Sequence, residues 1–229
     1  MDALPASVLD HLREFTSPTV ANAIEVFNVR PRQEGFMRPE IRCVFPQLGV
    51  MVGYAVTLKI RGATPGSESE TVHARAHWEK VLQVPAPRVV VVEDLDDPSG
   101  LGSYWGEVNA NVHRALGCVG VVTNGGVRDL DEVAALRFHF FASHIAVSHA
   151  CVHIVESGTP VRVGGLTVRP GDLLHADQHG VVNVPRELAA KIPEGARKVA
   201  DMEYRIIACS QSAEFTLEGL EALWRSMRG

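Results

Sequence analysis

Several things are scarce in this 229-residue chain, and each scarcity excludes a class of protein. The four cysteines, Cys43, Cys118, Cys151 and Cys209, stand far apart with no C-x-x-C. That spacing gives no disulfide framework, and each thiol reads as a small buried hydrophobe. The 22 basic residues form no run and are outnumbered by 27 acidic ones, so a formal net charge of -5 leaves no footprint for nucleic acid or an anionic membrane. No apolar stretch approaches bilayer-spanning length, and the first residues, MDALPASVLDHLREF, carry neither a basic nor an apolar export segment. A cytoplasmic protein with no nucleic-acid or membrane partner is therefore expected. Lysine is rare as well. Of Lys59, Lys80, Lys191 and Lys198 only Lys59 lies in apolar strand-like sequence, which argues against Schiff-base chemistry.

What is present describes an ordinary globular chain, with 46% hydrophobic and 21% charged residues. One domain over residues 1–229 is expected, its last part, 210–229, a helical extension. Helices are predicted over 4–15 and 19–27, the second with Ser17 as N-cap and Pro18 at its first position. An irregular excursion containing Pro31, Pro39 and Pro46 leads to a strand at 49–61 and a helix at 71–82. RVVVVEDL at 88–95 has four valines without alternation, the mark of a strand buried on both faces. A helix from Gly106 to Gly117 and a buried strand at 118–123 complete a βαβ unit, whose two strands must run parallel. Asn124, Gly125 and Gly126 read as a turn and 129–136 as a short helix. Beyond Arg137 a second, mixed or antiparallel sheet is predicted, with a hairpin on Gly164 and Gly165. A helix opened by Pro185 is interrupted by Pro193 and resumes at 195–209; a last amphipathic helix covers 217–227.

Ligands of open α/β sheets sit beyond the carboxyl ends of parallel strands. Here one such end delivers Gly102, Trp105, Gly106 and Glu107 into a helix start, and the next delivers Gly125, Gly126, Arg128 and Asp129. Backbone N–H groups near Gly106 favour an anion, and the Arg128 guanidinium can grip a carboxylate through two parallel bonds. Glu107 and Asp129 add oxygen ligands of the kind that suit Mg²⁺ or Mn²⁺ rather than zinc. The same residues also read as a surface ion pair opening one helix and a dipole-favouring acid opening another. Spacing alone leaves both readings open.

The motif has a known likeness. GSYWGE at 102–107, twenty intervening residues (108–127), then Arg128 and Asp129 resemble the acidic-x20-R-D signature of the class II 4-hydroxy-4-methyl-2-oxoglutarate and 4-carboxy-4-hydroxy-2-oxoadipate aldolases and the related RraA-like proteins. VGYAVTLKI, LGCVGVVTNGGVRDLDEV and PVRVGGLTVRPGDLLHADQHGVVNVP extend the resemblance along most of the chain. It implies an α/β fold, a β/β/α swivelling-domain-like sandwich with a central βαβ unit and flanking N- and C-terminal helices, assembled as homotrimers or homohexamers. It also implies a metal-dependent retro-aldol lyase that releases pyruvate from a 2-oxo acid, with oxaloacetate decarboxylation as a second activity. By that likeness Asp129 binds Mg²⁺ or Mn²⁺ directly, Glu107 orders a water on the metal, and Arg128 holds the pyruvyl carboxylate. Trp105, Gly106, Glu107, Val108 and Asn109 border the substrate, and Glu203 is lent by a neighbouring subunit. Within the RraA-like group a ribonuclease regulator supplies the rival reading, a non-catalytic docking ring.

Two positions depart from the family pattern. Asn22 in VANAIE stands where an acid is usual, and the D-N pair expected before the 71–82 helix is missing, which bears on the C4 substituent accepted. The i,i+4 histidine pairs His73/His77 and His149/His153 invite a zinc reading, but neither is H-E-x-x-H. They read as surface or hydrogen-bonded core histidines, and His179 as a turn residue.

Overall fold

The computed structural model describes residues 2–226. Its centre is a sheet in which β2 (Met51–Arg61), β3 (Arg88–Asp94), β4 (Cys118–Val127) and β5 (His139–Ile145) are neighbours in that order and pair in parallel. The four valines of β3 alternate between two cores, Val90 and Val92 on one face and Val89 and Val91 on the other, which is why the run shows no polar alternation. Burying each contributes about 1.5–3 kcal/mol. The βαβ unit is present, its crossover helix α4 (Glu107–Ala115) ending before Gly117, whose φ of 77° provides the left-handed stop.

The face carrying Val90 and Val92 is covered by α3 (Ala74–Leu82), α4 and α5 (Leu130–Ala135). The opposite face is covered by a hairpin of β7 (Val161–Val163) and β8 (Leu166–Val168), turning on Gly164 and Gly165 at φ 54° and 78°. Hairpin, sheet and helices make the β/β/α layering that the resemblance implied. The N-terminal helices α1 (Ala6–Arg13) and α2 (Ser17–Glu25) flank it with the start of α6 (Ile192–Gln211), packing over β2 and β10 (Gly180–Val184).

Several local expectations are corrected. Of the four cysteines only Cys118 is buried; Cys43 and Cys209 are partly exposed and Cys151 is exposed, because it lies in the loop before β6. The region after Arg137 does not form a second sheet: β5, β6 (His153–Ser157), β9 (Leu173–Asp177) and β10 all join the central one, and only the β7–β8 hairpin stands apart. Strand β2 accommodates this by changing partner along its outer edge, from β9 at Met51–Tyr54 to β6 at Leu58–Arg61. The helix opened by Pro185 is a 3-10 segment, Arg186–Lys191, and α6 takes over at Ile192, with Pro193 in its first turn, where its missing N–H is not needed. Thr16, not Ser17, caps α2, its hydroxyl accepting from the Thr19 amide, because Ser17 is buried and used elsewhere. The Ser17 amide donates to Asp177 Oδ2 at 2.9 Å, and its hydroxyl lies 3.0 Å from His175 Nδ1. The last helix, α7, covers Leu217–Ser226; Met227 of the predicted span lies outside the described residues.

Candidate active site

The site forms where β3 and β4 end. The turn expected at Asn124–Gly126 is instead strand, with β4 running on to Val127 through an irregularity between Thr123 and Gly126. Glycine stands there because other groups approach closely. A Cβ on Gly125 would lie 3.0 Å from Asp94 Oδ2, and one on Gly126 2.7 Å from the Ala146 methyl. The Asn124 side chain ties the two strand ends together, its Oδ1 accepting from the Asp94 amide at 2.8 Å and its Nδ2 donating to the Asp94 carbonyl at 2.9 Å. Arg128 and Asp129 therefore follow directly from a rigid strand.

Asp94 is a structural scaffold for this loop that no local sequence signal marks. Its buried carboxylate accepts from the amides of Gly100 at 2.7 Å and Asp96 at 3.1 Å, folding the loop that leads to α4. Burial raises its pKa, opposed by those two amides. The turn formers of DLDDPSG signal a loop, but nothing in them marks which acid is buried beneath it.

The loop ends on β4. Trp105 makes a parallel bridge with Val127, and the Arg128 amide donates to the Trp105 carbonyl at 3.0 Å. Ser103 is buried with its hydroxyl 2.7 Å from the Trp105 carbonyl and 2.8 Å from that of Gly126. Trp105 was expected beside substrate, but its side chain is fully buried, stacked on Phe138 and 4.6 Å from the His113 ring centroid. A large apolar ring gains more from that core than from a wet cleft. Its contribution to the site comes through its backbone.

Glu107, Arg128 and Asp129 do come together. The Glu107 amide, first in α4, donates to Asp129 Oδ2 at 2.9 Å, and Arg128 Nε lies 4.0 Å from the same oxygen. Side chains of Arg128 and Asp129 are about one-third exposed, at 35% and 33%. Asp129 holds a left-handed backbone, φ 56° and ψ 51°, which an aspartate tolerates better than most residues and which turns its carboxylate back toward α4. Gly106 makes the approach possible, since a Cβ there would sit 2.3 Å from Asp129 Oδ2. Val108 and Glu107 are exposed, and the first-turn amides of Val108 and Asn109 have no intrahelical carbonyl to serve. The Asn109 side chain is committed to the Tyr104 carbonyl. Glu203, on α6, is exposed, and among the described residues no group of three metal-binding side chains occurs, so Glu203 does not join Glu107 and Asp129 within one chain.

The histidine pairs separate. His149 and His153 each face a nearby backbone carbonyl, of Ala150 and Cys151. His77 is buried and meets His113, a contact no sequence spacing suggests: the two Nε2 atoms are 3.1 Å apart. His113 Nδ1 lies 2.8 Å from the Asn109 carbonyl, so it carries the proton and its Nε2 accepts. His77 must then donate through Nε2 and accept at Nδ1 from the Ser157 hydroxyl, 2.8 Å away. Both rings are neutral; burial brings His77 down to about 3 and His113 down to about 4. This chain of donors anchors α4 to α3 and β6 behind the site. His179 bonds Asp177 in the β9–β10 turn, as a turn residue would.

Comparison with known proteins bears on the family and the fold. The family model described as "RraA-like: Aldolase/RraA" matches residues 7–183. A protein of Halalkalibacterium halodurans, named provisionally as a 4-hydroxy-4-methyl-2-oxoglutarate aldolase, is 33% identical over 110 residues, covering 47% of this chain and 52% of its own. The match thus spans about half the length of that relative. An uncharacterised protein of Methanocaldococcus jannaschii is 25% identical over 167 residues, 72% of this chain and 76% of its own. Among solved structures, an uncharacterised protein from Pseudomonas syringae superposes with a TM-score of 0.72 at 26% identity, covering 96% of this chain and 95% of that one. RraAS2 of Streptomyces coelicolor, described as an unusual member of the RNase ES inhibitor RraA protein family, shares the fold with a TM-score of 0.70 at 22% identity, covering 88% and 97%. Together with a β/β/α core and an R-D pair at the end of β4, the match over residues 7–183 establishes that the chain belongs to the RraA-like family.

Proposed function

We propose that the protein is a divalent-metal-dependent lyase that cleaves a 4-hydroxy-2-oxo acid by a retro-aldol step, releasing pyruvate. The observation that carries this reading is the Asp129 carboxylate fixed on the Glu107 amide beside the Arg128 guanidinium, at the start of α4. The donor set fits a hard cation. One or two carboxylates suffice for Mg²⁺ or Mn²⁺, which retain several waters, so a cluster of three protein ligands is not needed. Asp129 would hold the ion directly and Glu107 through a water, with Glu203 of a neighbouring subunit completing the shell. When bound, such an ion supplies Lewis acidity toward the 2-oxo group.

The chain's own residues do the rest. Arg128 makes no ion pair among the described residues other than the long one to Asp129, which leaves its fork for the substrate's C1 carboxylate. The first-turn amides of Val108 and Asn109, which have no intrahelical partner, stabilise negative charge developing at this helix end. Glu107, acting through water, takes the C4 hydroxyl proton. The C3–C4 bond then breaks, C4 becomes a carbonyl, and the bonding pair passes into pyruvate enolate, which is protonated at C3. The same groups serve oxaloacetate, which loses CO₂ to give the same enolate.

The proposed setting is a cytoplasmic homotrimer or homohexamer. Its support is the exposure of Tyr204 (72%), Ile207 (51%) and Trp224 (44%) along the C-terminal helices, an apolar surface suited to a neighbouring subunit. Among the described residues no helix is long and apolar enough to cross a membrane.

The test is pyruvate release from 4-hydroxy-4-methyl-2-oxoglutarate and from oxaloacetate, with Mg²⁺ or EDTA, in wild type, Arg128→Ala and Asp129→Ala. Turnover that needs the cation and is lost in both variants is expected. Folded, Mg²⁺-supplied protein that turns over neither acid would favour the docking-ring reading, to which the fold shared with RraAS2 lends support.

A further inference from the structure

A second charged cleft, of about 540 Å³, opens beside the β7–β8 turn, and none of Glu107, Arg128 or Asp129 lines it. Three arginines converge there from separate segments. Arg38 comes from the excursion before β1 (Arg42–Cys43), Arg42 from β1 itself, and Arg162 from β7. Each segment is pinned by its backbone. The Arg38 amide donates to the Gly164 carbonyl at 2.8 Å, the Arg162 amide to Glu93 Oε2 at 3.0 Å, and Arg42 is in register with Ala142 of β5. His144, Ser143 and Asn124 add polar groups from β5 and the end of β4.

The floor is shaped for these side chains. A Cβ on Gly165 would lie 2.9 Å from Arg38 Nε, and one on Gly100 2.4 Å from His144 Cδ2. Both glycines have positive φ, 78° and 90°, so a larger residue is doubly disfavoured. Among the described residues none of the three guanidiniums forms an ion pair, and Glu40 is the sole carboxylate on the cleft wall. Three guanidiniums against one carboxylate give the cleft a positive balance in a chain that is acidic overall. Planar guanidinium forks match carboxylate and phosphoryl oxygens pair by pair.

We propose that this cleft is a binding site for a small organic polyanion, separate from the lyase site. Its ligand carries at least two carboxylate or phosphoryl groups, engaged by Arg38, Arg42 and Arg162. Asn124 links the cleft to the catalytic loops, because the same side chain ties β4 to the Asp94 amide beneath the loop that carries Glu107.

Citrate and inorganic pyrophosphate are the probes, titrated calorimetrically at low ionic strength and without divalent metal into the full chain and into Arg38→Gln, Arg162→Gln and Arg128→Ala. Saturable binding of one probe is expected, weakened roughly tenfold or more by each cleft substitution and kept in Arg128→Ala. Preference for citrate would assign a polycarboxylate, and preference for pyrophosphate a phosphorylated ligand. The proposal is overturned by absence of binding, by binding lost only in Arg128→Ala, or by cleft substitutions that alter native mass and leave binding intact. These exposed side chains are not core positions, and an unchanged melting temperature would confirm that each variant is folded. The readout needs no turnover, so its failure is distinct from failure of the lyase reading.

Discussion

Asp129 and Glu107, 22 positions apart in sequence, are joined by one hydrogen bond of 2.9 Å from the Glu107 amide to the Asp129 carboxylate. That bond exists only because Gly106 has no side chain. Gly106→Ala is compatible with the local backbone, φ −152° and ψ −163°, yet its methyl would displace the carboxylate. The expected result is a fall of about 100-fold in kcat/KM for pyruvate release, at a stability cost of about 1–3 kcal/mol. Steady-state kinetics beside a thermal melt separates the two. Retained activity would mean that the Asp129 position is not critical.

Arg128 and Asp129 should fail in different ways. Arg128→Lys keeps the charge and loses the fork, so KM for the 2-oxo acid should rise about tenfold or more while the Mg²⁺ requirement stays put. Asp129→Asn should instead raise the Mg²⁺ concentration for half-maximal rate. Identical kinetic signatures would contradict the separate roles proposed.

The paired imidazoles make a pH prediction whose sign is fixed. Folded-state values of about 3 for His77 and about 4 for His113 lie below the ordinary 6.5, so below pH 6.5 the unfolded chain binds protons that the folded one refuses. Stability should fall as pH drops from 6.5 toward 4, with a slope of up to about 2.7 kcal/mol per pH unit if both rings contribute fully. Buried His139 and His175 are shifted the same way by burial. His77→Phe should cost about 1–3 kcal/mol at neutral pH, because it strips a buried acceptor at His113 of its donor, and should flatten the acid slope. Urea midpoints at pH 7.5 and 5.0 would show whether it does.

Ser17 supplies an independent check on the N-terminal packing. His175 Nε2 lies 3.0 and 3.1 Å from the Leu12 and Phe15 carbonyls, so it carries the proton and Nδ1 accepts from the Ser17 hydroxyl. Ser17→Ala is expected to cost about 1–3 kcal/mol, whereas Thr16→Ala should cost about 1 kcal/mol through the lost helix cap. A Ser17→Ala loss smaller than that of Thr16→Ala would argue against the Ser17–His175 bond.

Much of this was legible in the sequence where physics is local. The unbroken valines of β3, the glycine stop after α4 and the Gly164–Gly165 hairpin are each governed by neighbours a few residues away. Asn124–Gly126 was misread for the opposite reason: glycine signals a turn by propensity, but here it admits Asp94 and Ala146, contributed by segments distant in the chain. Likewise Trp105 lies next to Gly106 in sequence, and only packing decides that its ring turns inward. The His77–His113 contact joins α3 to α4, and no periodicity within either helix announces it.

The change of partner along β2 has a consequence for how the molecule divides. Strands β6 and β9 both come from the last third of the chain, yet each depends on the same strand near its start. A cut at Val147, 96% exposed between β5 and β6, would leave a first fragment holding Glu107, Arg128 and Asp129 but with the outer edge of β2 bare. The second fragment would hold the strands that fit that edge. Neither piece is a self-sufficient unit, and the two are shaped to find one another, so this junction is the natural place to build a split version whose reassembly reports on itself.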